Sequence, residues 1–190
     1  MKHIAIALPG CHYLGPERQC ETTAKRLDAT LTFAASLKDT EVVYLTHDAV
    51  PYKRGGKPMS ILLKESLIRR GVDPDQIHTA SGFGTFSDVR AVISKGLKIC
   101  PAIDTIVLVT SSWHLWVCRS LWKREARRYG IRVFFHAVPN TGGLRTHLFY
   151  GMYAIIVQLA LLLHVDKYME QILTKKQIKR LDGFQWNGCG

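Results

Sequence analysis

The stretch T-I-V-L-V-T-S-S-W-H-L, Thr105 to Leu115, decides the fold together with the helical segment after it and then Y-G-I-R-V-F-F-H-A-V-P, Tyr129 to Pro139. Thr105–Thr110 is apolar at nearly every position, the pattern of a strand covered on both faces. It gives way to the hydroxyl residues Ser111 and Ser112. Trp113, Val117 and Leu121 then repeat at helical spacing. Gly130 closes that helix, and Arg132–Val138 reads as the next strand. Strand, helix and strand in this order form a βαβ unit, whose crossover lays two parallel strands side by side.

The same alternation extends to either side. His3–Leu8, Glu41–Thr46 and Gln76–Ala80 read as strands. Between them, Leu27, Leu31 and Ala34 mark one helix, and Leu63, Leu67 and Arg70 mark a second that closes at Gly71. Phe86, Val89, Val92, Ile93 and Leu97 form the apolar stripe of a third. The expected fold is therefore α/β: a Rossmann-like three-layer sandwich around a five-stranded parallel sheet of order 3-2-1-4-5. Leu148–Leu163 is almost wholly apolar, with Gln158 its one fully polar residue. At 16 residues it falls short of the roughly 20 that span a bilayer, so a covering helix buried in the domain is predicted, with membrane contact as the alternative. The expected division is an α/β domain over 1–165 and an amphipathic C-terminal helix and tail over 166–190, with a basic run at Lys175, Lys176, Lys179 and Arg180.

A chain of 190 residues can bury a full core without disulfides or metal. Its 26 Lys and Arg against 15 Asp and Glu give a formal charge of +11. Such a surface attracts phosphorylated small molecules, anionic lipid or nucleic acid, but no nucleic-acid motif accompanies it. Cys11, Cys20, Cys100, Cys118 and Cys189 form no C-x-x-C pair, which points to free thiols rather than zinc or thioredoxin-type chemistry. The chain opens on a strand with no signal-peptide h-region, so a cytoplasmic location is expected, with the membrane surface as the alternative.

In an open parallel sheet, ligands bind beyond the carboxyl ends of the strands where the strand order reverses. Here that point lies between strands 1 and 4. Gly10 leaves strand 1; Thr110, Ser111, Ser112 and His114 leave strand 4. A helix start offers unpaired N–H groups and the positive end of its dipole, which suits phosphate or carboxylate. The same dipole should keep His114, the catalytic candidate, neutral. An ordinary serine cap followed by a packing histidine accounts for the same residues. After strand 3, Ser81, Gly82, Thr85 and Asp88 form a glycine-bearing loop with capping-box spacing. The loop from His47 to Pro58, with Lys53, Arg54 and Lys57, could close over an anion or be simply solvated. Dinucleotide, P-loop, nucleophile-elbow and H-E-x-x-H signatures are all missing.

These parts together resemble the YdcF/SanA/ElyC family. The strand, the T-S-x-x-H of Thr110–His114, the following helix and the strand to Val138 carry the likeness. Arg26-Leu-Asp-Ala, Leu67–Val72 and Thr85 are similar to that family's first helices and its threonine. The chain departs from the family at Met59 or Ser60, where an acidic residue is usual, at Ser87-Asp88 in place of Glu-Asn, and at Val117 in place of arginine. The resemblance implies a site for an anionic or nucleotide-like small molecule, S-adenosylmethionine being the candidate cofactor. It also implies a link to the bacterial envelope, so an enzyme acting on lipid-linked phosphates is the alternative function, in peripheral contact with an anionic membrane. A non-catalytic binding protein is the third expectation.

Overall fold

The computed structural model describes residues 2–10, 20–48, 56–80, 82, 84–139 and 144–183, with side chains left out at 144–147 and 176–183. Five strands, β1 (Lys2–Pro9), β2 (Thr40–His47), β3 (Ile77–Ala80), β4 (Thr105–Ser111) and β5 (Arg132–Val138), form one parallel sheet of order β3-β2-β1-β4-β5. The expected topology is the observed one. β4 lies between β1 and β5, and all seven of its residues are buried, which is why its sequence shows no alternation. β5 is an edge strand and does alternate, leaving Phe134 55% exposed.

Helices alternate with the strands: α1 (Glu21–Ala35), α2 (Met59–Arg69), α3 (Thr85–Ile99) and α4 (Ser112–Arg127). Right-handed crossovers place α1 and α2 on one face of the sheet and α3 and α4 on the other. Two apolar clusters result. Leu27, Leu63 and Leu67 pack on Ile6, Leu8 and Val107; Phe86, Val89, Val117 and Leu121 pack on Ala7, Leu45 and Leu108.

α5 (Leu144–Leu162) packs on α4, and α6 (Asp166–Gly183) packs on α3 and α5. Here the structure corrects the sequence reading. Val157 and Ala160 of α5 are buried, but Leu148, Phe149, Met152, Ile155, Leu159 and Leu162 are exposed. A helix laid against the outside of a domain turns only one side to the core, however apolar its other side is. Among the described residues nothing covers the other side, and no helix is long and apolar enough to cross a membrane. α6 is held by its acidic residues: Asp166 pairs with Arg124 at 2.5 Å and Arg90 at 3.0 Å, and Glu170 pairs with Arg90.

Candidate functional site

At the carboxyl edge of the sheet the strand ends bring Pro9, His47 and Ser111 into neighbouring positions. Pro9 is in register with His47, and the backbone N–H of Gly10 donates to the His47 carbonyl at 3.1 Å. The chain then turns sharply at Asp48, whose φ of +104° is rarely adopted by a side-chain-bearing residue. Such backbone strain costs about 1–3 kcal/mol and gathers at functional sites.

Arg26 organises this edge from α1. It is 1% exposed, and its Nη1 donates to the carbonyls of Pro9 at 3.1 Å and Gly10 at 3.0 Å. Its Nε and Nη2 both donate to the Ser111 hydroxyl, at 3.1 and 2.9 Å. Its guanidinium also lies 5.9 Å from the centre of the Trp113 ring. One cation thus ties β1 to β4 across the point where the strand order reverses.

Thr110 and His114 meet as well, with 3.0 Å between the Thr110 hydroxyl and His114 Nδ1. The His114 pKa is lowered to about 3 by burial first, then by the charges of Arg26 and His47. The ring keeps some contact with solvent but stands deep among protein atoms. Lost hydration is thus the first cause of its neutrality, and His114 is not a surface first-turn residue. Cys118, one turn further along α4, is buried, and burial pushes its thiol up to about 12. It is a packing group rather than a nucleophile.

The serines play other parts than the caps expected of them. Ser111 holds the N-cap position but makes no side-chain cap bond, because its hydroxyl receives Arg26. Ser112 is the first residue of α4, and its hydroxyl donates to the Val138 carbonyl at 3.3 Å. The capping box is also absent. Gly84, at φ +107°, is the N-cap of α3 and Thr85 is its first residue. Thr85 hydrogen-bonds the Tyr153 phenol of α5, whose pKa is raised by burial. Ser81 lies outside the described residues, as do Lys53 and Arg54, while Lys57 pairs with Glu65 at 2.6 Å.

Asp88 turns inward. A Cβ on Gly82 would overlap the Asp88 carboxylate and its backbone nitrogen, so only glycine allows this approach. Asp88 Oδ2 stands 3.9 Å from Nδ1 of His47, itself 3% exposed. Both ring nitrogens of His47 and Oδ1 of Asp88 are enclosed without a hydrogen bond. Such groups are costly unless something partners them. Trp122 lies against His47, with 6.1 Å between ring centres, and Trp113 stacks on Tyr150 of α5 at 3.4 Å.

The structure thus brings Gly10, Thr110, Ser111 and His114 to one edge, with Gly82, Thr85 and Asp88 beside it. It adds Arg26, His47 and Tyr153, which sequence reasoning did not assign to the site. A signal existed for His47, which directly follows a strand run at the same edge; the burial of Arg26 in a row with Thr22 and Thr30 shows only in the structure. A groove of about 430 Å³ lined by Phe33, Phe134 and His136 lies toward the other end of the strands, among Lys2, Asp104 and Arg132, away from this chemistry.

No family model, curated protein or solved structure matches this chain. What stands established is the α/β fold with its five-stranded parallel sheet.

Proposed function

We propose that the carboxyl edge of the sheet binds a small anionic or nucleotide-like molecule, in the manner that the likeness to the YdcF/SanA/ElyC family implies. S-adenosylmethionine is the candidate. The observation that carries this reading is the buried guanidinium of Arg26, fixed against Ser111 directly below the first turn of α4. A fixed cation and a helix start then act on the same small volume, and both favour negative charge. His47 and Asp88 supply enclosed polar atoms to which a ligand could bond. In this reading Gly10, Gly82, Thr85, Asp88, Thr110, Ser111 and Ser112 frame the ligand. His114 is the group nearest to chemistry, and near neutral pH it acts as an uncharged hydrogen-bonding partner.

Thermal melting with inorganic phosphate, sulfate and S-adenosylmethionine tests the reading. At a hundred times its dissociation constant a true ligand stabilises the fold by about 2.7 kcal/mol, a readily measured rise in Tm. The expected pattern is a shift with at least one of the three, lost in His114→Ala; because the ring is packed, that variant should melt lower by itself, so the ligand shift is read against its own unliganded melting point. No shift with any of them, and no small anion retained on purification, would overturn it. A second reading, an enzyme acting on lipid-linked phosphates, is favoured by the exposed apolar side of α5, whose inner side carries Tyr150 and Tyr153 to this edge.

A further inference from the structure

Along α5, Leu148, Met152, Ile155, Leu159 and Leu162 recur at alternating steps of four and three residues, which places them on one side of the helix. They are between 50% and 73% exposed. Monomeric soluble proteins rarely leave so many large apolar side chains contiguous in water. The helices packed on α5 differ from it in character. α4 exposes Trp116, Arg119 and Lys123; α6 exposes Lys167, Tyr168 and Lys175.

The acidic groups of these helices point the other way. Glu125 and Asp166 are buried, and Glu170 is partly so; all three face Arg90, Arg124 or Arg128. Among the residues of α4, α5 and α6 whose side chains are described, no carboxylate is exposed. The charges are therefore sorted, with carboxylates used internally and lysines and arginine left outward beside an apolar ridge.

We propose that the outward side of α4, α5 and α6 docks in the plane of an anionic phospholipid bilayer, with the α5 ridge seated at the headgroup–acyl boundary. Apolar side chains flanked by cations, with Trp and Tyr at the margin, match both layers of that boundary. A second copy of the chain would match the ridge, but it would bring another +11 against the same basic margins. The docking stands independently of any ligand at the carboxyl edge.

Co-sedimentation of the full chain with vesicles tests this. Binding is expected to vesicles of phosphatidylcholine with 30% phosphatidylglycerol (about a third, so that the charge is ample), and to fall at least tenfold on pure phosphatidylcholine. Ile155→Gln with Leu159→Gln should reduce it about as far, and Lys167→Gln with Lys175→Gln less, with melting points held. Should the first pair fail to fold, brominated anionic lipid offers a second measurement: it should quench the tryptophan emission of the unaltered chain, and quench Trp116→Phe less. Equal binding to both vesicle types, no binding, or no quenching overturns the proposal. So does a dimer in sedimentation equilibrium that Ile155→Gln with Leu159→Gln dissociates while vesicle binding is absent. That outcome would assign the ridge to a second copy.

Discussion

His114 stands 3.0 Å from the Thr110 hydroxyl, in surroundings where a proton on its ring would be poorly hydrated and would face Arg26. Its folded pKa of about 3 lies below the roughly 6.5 of an unfolded histidine. Between those values the unfolded chain binds the proton and the folded chain does not. Stability should therefore fall as pH drops through that window, by up to about 1.4 kcal/mol per pH unit from this one group. His114→Asn should remove that part of the slope: urea unfolding at pH 6 and pH 5 is expected to show the unaltered chain losing about 1 kcal/mol more than the variant. Equal losses would mean that the ring is already charged in the fold. Thr110, Ser111 and His114 were legible in the sequence because strand ends meet helix starts at fixed places. The place of Arg26 at this edge was not, since a cation on an amphipathic helix reads as surface, and only the packed structure shows that Arg26 crosses to Ser111.

At the scale of elements, α5 and α6 show where periodicity stops informing. A run that is apolar on every side has no preferred face, so the sequence of α5 indicates burial without saying how much. α6 depends on its first turn. Burial alone would raise the Asp166 carboxyl, but the hydrogen bond and charge of Arg124, with Arg90 beyond, outweigh that and hold its pKa below the usual aspartate value. Its contribution is thus present above about pH 4, the unfolded value, and is lost as pH falls through the lower folded one. Asp166→Asn should cost about 1–2 kcal/mol, less than a fully buried pair because both arginines keep solvent contact. Chemical denaturation at pH 7 checks the size. Limited proteolysis should cut near α6 sooner in the variant; unchanged cleavage would mean that apolar contacts alone dock the helix.

For the whole molecule, strand order was readable because right-handed crossovers leave few ways to wind five parallel strands, and β4, apolar at nearly every position, had to lie inside the sheet. That order makes the first half dependent on the second. β1 pairs with β2 on one side and with β4 on the other, so a chain ending at Asp104 leaves β1 with an open edge and Arg26 without Ser111. Such a chain is expected to unfold without a cooperative urea transition, as monitored by far-ultraviolet circular dichroism. A sharp transition would show the first three strands to be self-sufficient. The Arg26–Ser111 link also has a consequence in time. The two residues are 85 positions apart, so at ribosomal rates of about 5–20 residues per second the arginine exists for roughly 4 to 17 seconds before its serine is made. Through that interval the nascent chain presents the open edge of β1, its backbone unpaired on that side and its apolar side chains uncovered, which is the kind of surface that holding chaperones bind.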